Sequence, residues 1–437
     1  EMRYGISFRI LSIPSISPRV LSGLAILRMG LPALPYRAPE ILRSAGEIPG
    51  LLEKNARGRA LIVTDRGCVE AGLLKILTDA LKEGGQSYTV FDGVVSNPTT
   101  DTVDKALSKF TREKCVSLIG LGGGSSMDCA KAVGARIARP DKTLGDMEGI
   151  LRIRKEIPYL ISVPTTAGTG SETTLAAVIT DARTRHKYAI NDFPLIPRAA
   201  VLDPEFTRTL PKNMTASTGM DALTHAVEAY IGRSTTRETR AWAVRAVKLI
   251  FENLQDVYDD GENMEARSNM MEAAYCAGAA FSQSYVGYVH AVAHSLGGQY
   301  DIPHGLANAV LLPVVLECYG SSAQKKLHRL AVAAGIASHE ESAAAGSEKF
   351  ICAVREMNRR LGIPETLPGI KEEDIPMMAA YAAREADPLY PVPVIWGADQ
   401  LERFYYAVMD RQQISIAMKV DRSENNASAD KKTAAGS

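Results

Sequence analysis

The 437-residue sequence is poor in histidine and tryptophan, with seven His and two Trp, and it has no excess of either charge. Fifty Lys and Arg residues balance fifty Asp and Glu residues. A nucleic-acid-binding domain needs a basic excess, so this balance argues against a nucleic-acid partner. The composition favours small-molecule chemistry.

Cysteine is also scarce, and no CxxC pair is present. The six residues are scattered: Cys68, Cys115, Cys129, Cys276, Cys318 and Cys352. Several lie in apolar runs, where a free thiol acts as a small hydrophobic group. We therefore expect reduced thiols and a cytoplasmic protein, because a disulfide framework is typical of smaller, secreted domains.

Long apolar runs are missing as well. The N-terminal segment 17–34 is apolar but is interrupted by Arg19 and Arg28, so it is too short for the ~20 residues of a membrane span. One helical face of it carries four apolar side chains: Val20, Leu24, Leu27 and Leu31. This spacing predicts an amphipathic helix within an N-terminal extension over 1–35. Packing on this protein or on a partner subunit is favoured over docking on a membrane surface.

The length predicts more than one domain, at ~100–200 residues each. From 36 to 210 short β-rich runs alternate with helical stretches. The strands are predicted at 59–65, 86–92, 115–124 and 159–166, and the helices at 68–84, 101–113 and 125–138. This alternation predicts an α/β domain with a parallel sheet and ligands at the carboxyl ends of its strands.

After Pro211 the pattern becomes helical, which predicts an all-α domain over 211–412 with its boundary near 201–211. The helices are predicted at 214–232, 237–260, 264–284, 287–299, 305–319, 324–335, 342–361, 372–385 and 398–410. Small, polar and charged residues then predict a tail over 413–437, disordered from 421 onward.

GLGGGSSMDCAKAV (120–133) lies where a strand should end and a helix begin. Its glycines let the backbone approach a ligand, and the amino end of the following helix suits a diphosphate. The stretch is neither GxGxxG nor a P-loop, since no GK[ST] follows. A plain tight turn is an equally good explanation of this stretch alone.

Two more features support a nucleotide site. PTTAGTGSE (164–172) again follows a strand with small and hydroxyl residues, although a turn capping a helix at Ser171 explains it too. Asp65 ends the strand RALIVTD. A carboxylate there can bind a ribose diol and repel a 2′-phosphate, which favours NAD over NADP. An ordinary N-cap aspartate is the equal alternative.

Three of the seven histidines fall in VHAVAHSLGGQYDIPHGLANAV (289–310). Upstream, Asp221 and His225 are four residues apart, hence on one helical face. That pair alone is more typical of a side-chain hydrogen bond. Together with His290 and His304, it predicts a divalent-metal site with nitrogen and oxygen ligands.

GGQYDIP (297–303) can reverse the chain between His290 and His304. His294 lies one turn beyond His290 on the same face, where it is either a further ligand or a proton carrier. Phe281 and Tyr285 precede this region, and core packing is favoured over a role in lining the substrate pocket.

Four motifs occur here in the order of one family: GGGSSMD, PTTAGTGSE, GMDALTHAVEAY and HAVAHSLGGQYDIPHGLAN. From about 36 to 412 the chain resembles the iron-containing (group III) alcohol dehydrogenases. The resemblance implies a dehydroquinate-synthase-like fold, with an N-terminal α/β nucleotide-binding domain, a C-terminal helical metal-binding domain and the active site between them. A homodimer or higher homo-oligomer is also expected.

The resemblance further implies that Asp221, His225, His290 and His304 bind the metal, usually Fe²⁺, and that the catalytic His294 faces the nicotinamide unliganded. The ligand set alone would take Zn²⁺ as well. The positions implied to contact NAD(P) are Asp65, Asn97, Gly123, Gly124, Ser125, Thr165, Thr166, Thr169 and Lys187.

The function implied is hydride transfer between NAD(H) and a primary alcohol or diol, or its aldehyde, with the metal polarising the substrate oxygen. A lyase or cyclase on the same fold and a non-catalytic assembly role are the alternatives. One departure concerns EADPLYPVPV (385–394), which stands where many family members have an Asn-Pro-Arg stretch. It leaves the substrate and the assembly open.

Overall fold

The computed structural model describes residues 36–184, 186–387 and 389–410. Its main sheet has six parallel strands in the order β1-β9-β6-β4-β2-β3. These strands are β1 (Glu40–Leu42), β2 (Arg59–Asp65), β3 (Tyr88–Val94), β4 (Cys115–Gly122), β6 (Tyr159–Pro164) and β9 (Ala199–Val201). The four strands predicted from the sequence are β2, β3, β4 and β6.

Helices cover this sheet, namely α1 (Ile48–Asn55), α2 (Arg66–Glu70), α3 (Leu73–Glu83), α4 (Thr100–Arg112) and α5 (Gly124–Ala138). The prediction of a single helix over 68–84 is wrong, because two helices lie there. Gly72 adopts a left-handed conformation, with φ of 76°, and separates α2 from α3. Glycine reaches that conformation without the steric cost that a Cβ imposes.

A second sheet of three strands was not predicted. It comprises β5 (Gly149–Ile150), β7 (Ala176–Thr180) and β8 (Lys187–Asn191), in the order β5-β8-β7. The backbone N–H of Thr180 donates to the Pro98 carbonyl at 2.9 Å, so this sheet attaches to the loop that follows β3.

The strands of the main sheet are apolar because both faces are covered. In β2, Leu61 and Val63 pack into one hydrophobic cluster, while Ala60 and Ile62 pack into another. Since side chains alternate along a strand, one helical layer lies on each face. This leaves the carboxyl ends of the adjacent strands β2, β4 and β6 as the open edge.

From residue 212 to 408 the described chain is helical. The helices are α6 (Lys212–Ile231), α7 (Arg237–Asp259), α8 (Met264–Ser284), α9 (Tyr288–Tyr300), α10 (His304–Tyr319), α11 (Ser321–Ala333), α12 (Ala343–Arg360), α13 (Ile375–Ala386) and α14 (Ala398–Val408). The predicted class, a parallel α/β part followed by an all-α part, is confirmed. The exact domain boundaries stay a prediction.

Within 36–184, 186–387 and 389–410, no helix combines the length and the apolar character needed to cross a membrane. The amphipathic helix predicted over 17–34 and the tail predicted over 413–437 lie outside the described residues.

Candidate metal and cofactor site

Helix α6 carries Asp221 and His225 one turn apart, as the spacing predicts. Both are buried, with 2% and 5% of their surface exposed. The Nδ1 atom of His225 lies 4.0 Å from Asp221 Oδ2. The ring of His225 stacks on Phe281, with centroids 4.2 Å apart, and Phe281 also packs against the helical core.

Helices α9 and α10 add the two remaining predicted ligands, His290 and His304. The reversal between these helices is shorter than predicted: α9 runs to Tyr300, and α10 begins at His304. Asp301, in a left-handed conformation with φ of 54°, ends α9. One ligand atom each from Asp221, His225, His290 and His304 lies within 4.8 Å of the other three.

The chemistry of this cluster fits a divalent cation. The three imidazole nitrogens are borderline ligands that suit Fe²⁺ or Zn²⁺, and a carboxylate oxygen completes such sites. Burial lowers the pKa of His225 and His290, and lowers that of His304 to about 3, so the rings are neutral and keep a lone pair. The buried Nδ1 of His225 has no hydrogen-bond partner among the described residues, which also fits a bound cation.

Glu228 is a site residue that the sequence reasoning missed. Its carboxylate is buried and accepts from the backbone N–H groups of Gly287 and Val289, both at 2.8 Å. It also accepts from His290 Nδ1 at 2.7 Å, which leaves Nε2 of His290 for the cluster. Burial raises the pKa of Glu228 to about 7. Its position three residues after His225 was the available signal, because residues three apart share a helical face.

Asn308, one turn into α10, was missed as well. Its side-chain nitrogen lies 2.7 Å from Asp221 Oδ1, 3.0 Å from His304 Nε2 and 3.2 Å from His290 Nε2. This carboxamide therefore touches three of the four predicted ligands.

His294 stands apart from the four-residue cluster. Its ring stacks on that of His304, with centroids 5.0 Å apart and planes inclined by 17°. Its side chain is 37% exposed, and its Nδ1 lies 2.6 Å from Oε1 of Glu385. The geometry therefore leaves His294 accessible at the edge of the cluster.

The glycine and threonine loops predicted to hold the cofactor lie side by side at the carboxyl ends of β4 and β6. The Thr165 N–H donates to the Gly122 carbonyl at 3.1 Å. A Cβ added to Gly123 would lie 3.6 Å from Thr166, and one added to Gly124 would lie 3.1 Å from Thr169. Gly123 caps α5, whose first two residues are Gly124 and Ser125.

Asp65 reaches the same edge from β2, and the structure shows it in a capping role. Its Oδ1 accepts from the Cys68 N–H at 3.0 Å, and its Oδ2 accepts from the Ser126 hydroxyl at 3.0 Å. The N-cap explanation is therefore correct. It is compatible with a ribose contact, because the carboxylate also borders the glycine loop.

Asn97 and Lys187 form a pair on the neighbouring loops. Asn97 has a left-handed backbone, with φ of 54°, and its Oδ1 accepts from Lys187 Nζ at 2.8 Å. Burial lowers the pKa of Lys187. The nine predicted cofactor positions thus come from adjacent strand ends and loops.

Two family models together match most of the chain. Residues 41–204 match "Iron-containing alcohol dehydrogenase", and residues 215–408 match "Fe-containing alcohol dehydrogenase family, C-terminal". The chain belongs to the iron-containing alcohol dehydrogenase family.

Relatives within this family act on small alcohols. The chain is 38% identical over 361 residues to 1,3-propanediol dehydrogenase of Klebsiella pneumoniae, covering 82% of this chain and 92% of that protein. It is 36% identical to the NAD-dependent methanol dehydrogenase of Bacillus methanolicus, covering 77% and 88%. A solved 1,3-propanediol oxidoreductase superposes with a TM-score of 0.82 at 34% identity, covering 85% of this chain and 98% of that one. The family and the fold class expected from the motifs are confirmed.

Proposed function

We propose that this protein is an NAD-linked, metal-dependent alcohol dehydrogenase for a short primary alcohol or diol and the corresponding aldehyde. The observation that carries the proposal is the cluster of one aspartate and three histidines, buried except for His304, beside the half-exposed His294. The substrate class rests on the names of the relatives, a propanediol and a methanol dehydrogenase.

Asp221, His225, His290 and His304 are the proposed ligands of Fe²⁺, with Zn²⁺ as the alternative. A divalent metal held there supplies Lewis-acid polarisation of the substrate oxygen. Asp221 brings one negative charge and the imidazoles bring none, so the ligand set leaves a net positive charge for a developing oxyanion. Glu228 and Asn308 hold the ligand side chains in place.

The proposed cofactor is NAD. The amino end of α5 offers backbone N–H groups and a helix dipole to its diphosphate, and Asp65 disfavours the 2′-phosphate of NADP. The other proposed contacts are Asn97, Gly123, Gly124, Ser125, Thr165, Thr166, Thr169 and Lys187. His294 is the proposed catalytic proton carrier, because an accessible imidazole can exchange a proton with the substrate oxygen or with water.

The proposal is tested by purifying the protein anaerobically, measuring its metal content, and screening NAD-linked turnover of short primary alcohols, diols and aldehydes. We expect stoichiometric NADH formation from an alcohol. His304→Ala, assayed in parallel, should bind NAD but lose metal and turnover. Full turnover in the metal-free variant would contradict the ligand assignment, and turnover without net NADH would favour the lyase or cyclase alternative.

We further propose a homo-oligomer in the cytoplasm. The unpaired cysteines support the location, since all six are free thiols, which suits a reducing compartment. Light scattering coupled to size-exclusion chromatography tests the assembly. A monomer at micromolar concentration would contradict it.

A further inference from the structure

The described residues of the stretch 385–394, namely 385–387 and 389–394, begin on α13 and lie beside the site. The Arg233 N–H donates to the Pro391 carbonyl at 2.6 Å. Farther on, the Trp396 N–H donates to the Tyr288 hydroxyl at 2.8 Å, and that hydroxyl donates to the Trp396 carbonyl at 3.1 Å. The first bond ties this segment to the loop after α6, and the other two tie the residue shortly after it to α9, the helix that carries His290 and His294.

One side chain of this stretch, Glu385, contacts His294, and a second, Tyr390, contacts Glu385. Oε1 of Glu385 lies 2.6 Å from His294 Nδ1 and also 2.6 Å from the Tyr390 hydroxyl. Burial and the nearby Glu385 raise the pKa of Tyr390 well above its ordinary value, so Tyr390 is a phenol that donates its proton. One carboxylate oxygen thus accepts from both neighbours.

We propose that Glu385 and Tyr390 are positioning residues for His294, an inference that rests on the proposed role of His294 as proton carrier. Glu385 accepts a hydrogen bond from the Nδ1–H group, so the lone pair of the neutral ring lies on Nε2. Tyr390 keeps the carboxylate in that orientation. The stack on His304 fixes the ring plane, and no described residue hydrogen-bonds Nε2.

This orientation has a chemical consequence. In alcohol oxidation the hydroxyl proton passes to Nε2 of His294, while the hydride leaves the carbinol carbon with its electron pair for the cofactor. The resulting imidazolium is balanced by the Glu385 carboxylate until the proton reaches solvent, and reduction follows the same path in reverse. A carboxylate that sets the tautomer of a histidine in this manner is a known catalytic arrangement.

The kinetic test uses metal-loaded enzyme with Glu385→Gln, Tyr390→Phe and the rescue variant Glu385→Asp. For Glu385→Gln we expect kcat to fall ~10–100-fold, in the range typical of partners that orient a catalytic or ligating histidine. KM, metal content and NAD affinity should be unchanged, and the solvent isotope effect should rise. Tyr390→Phe should lose less, and Glu385→Asp should recover part of the rate. Glu317→Gln, which removes a surface ion pair with Arg355 of 2.7 Å, is the matched control.

A second readout does not depend on turnover. Long-range ¹⁵N–¹H spectra of Zn²⁺-loaded protein labelled at histidine, assigned with His294→Gln, report which ring nitrogen carries the proton. We expect Nδ1–H in the wild type and a changed proton distribution in Glu385→Gln. An Nε2–H tautomer in the wild type, or unchanged kinetics in Glu385→Gln, would overturn the inference. If His294→Ala itself retained metal and full kcat, the proposed proton carrier would fail instead.

Discussion

Two buried carboxylates lie two turns apart on α6, and their partners assign them different tasks. Glu228 accepts three N–H donors, so its oxygens are engaged. Asp221 accepts one side-chain hydrogen bond, from Asn308 at its Oδ1. Its other oxygen is open toward His225. The number of hydrogen bonds that each carboxylate accepts therefore favours Asp221 as the proposed ligand and Glu228 as the residue that orients His290.

Replacing Glu228 with Gln tests this division of tasks. One oxygen becomes an NH₂ group that must face an N–H donor, so His290 loses its fixed orientation. We expect metal affinity to fall ~10–100-fold, the range typical of partners that orient a ligand. Competition with a chromophoric chelator measures the affinity, and circular dichroism checks the fold. Unchanged affinity in a folded variant would show that His290 does not need Glu228.

Asp65 accepts hydrogen bonds from Cys68 and Ser126, so the substitution that tests its role in cofactor choice must preserve its capping role. Asn caps a helix as well as Asp does, and its NH₂ group can donate to the Ser126 hydroxyl at the position where Asp65 Oδ2 accepts from it, so Asp65→Asn removes the charge while the cap is kept. We expect kcat/KM for NADP to rise relative to NAD, because repulsion of the 2′-phosphate disappears. Asp65→Ala serves as the control that also loses the cap. An unchanged ratio in Asp65→Asn would mean that Asp65 does not contact the ribose.

At the scale of elements, α5 is joined to the threonine loop by one buried lysine. Lys131 Nζ contacts five oxygens of the segment 171–176 at 2.6 to 3.0 Å. Asp128 adds bonds to the Ser171 hydroxyl and the Val178 N–H, at 2.7 and 3.0 Å. Helix α5, which begins in the glycine loop, therefore also holds the threonine loop in place through Lys131 and Asp128.

Lys131 gives this connection a pH dependence. Burial lowers its pKa from 10.5 to about 8. Between these values the unfolded chain binds a proton that the folded chain does not, so the free energy of unfolding rises with pH across this window. Below the folded pKa both states bind the proton, so this contribution no longer changes with pH. The gain is at most about 3 kcal/mol, at 1.36 kcal/mol per pKa unit.

Urea midpoints of the wild type and Lys131→Met, taken from pH 7.5 to 10, measure this effect. The buried thiols Cys129 and Cys276, whose pKa values are raised to about 12, act in the opposite direction in both proteins. The contributions of these thiols therefore cancel when the stability of Lys131→Met is subtracted from that of the wild type. We expect the wild-type advantage to grow with pH, and a difference that is flat with pH would refute the assignment.

The sequence predicted elements whose signals are local. Periodicity gave four adjacent strands of the main sheet and the helices after residue 211, and motif order gave the cluster of Asp221 and three histidines. The sequence pattern did not predict β1 and β9, which are three residues long, or the second sheet. Glu228, Asn308 and Lys131 were missed because most of their partners are distant along the chain, such as His290 for Glu228, Asp221 for Asn308 and Thr174 for Lys131. A pattern along the chain does not show such partners.

At the scale of the whole molecule, the loop 164–174 of the predicted cofactor site packs against two helices of the all-α part, α6 and α8. A Cβ on Gly168 would lie 2.6 Å from the Cβ of Thr218, in the helix of Asp221. A Cβ on Gly170 would lie 2.6 Å from the Cα of Gly278 in α8. These glycines allow contact between backbones that a methyl group would separate.

Gly278→Ala tests this contact. The new methyl would lie 2.6 Å from the Gly170 carbonyl oxygen, so the loop must move. We expect a loss of stability of about 1–3 kcal/mol and a lower kcat/KM, with metal retained because the loop carries no proposed ligand. Gly50→Ala, where a Cβ meets nothing within 4 Å, is the matched helical control. Equal behaviour of the two variants would show that the contact is not constrained.

The contact between Gly170 and Gly278 also sets an order of events during synthesis. The two glycines are about a hundred residues apart, which a ribosome translates in roughly 5–20 s at typical rates. The residues of the sheet and of both predicted cofactor loops are therefore synthesised before α8, whose Gly278 packs against Gly170. His304, the last proposed ligand along the chain, emerges later still. The residues of the predicted cofactor loops are thus all present before the last proposed metal ligand, so the complete ligand set exists only late in synthesis.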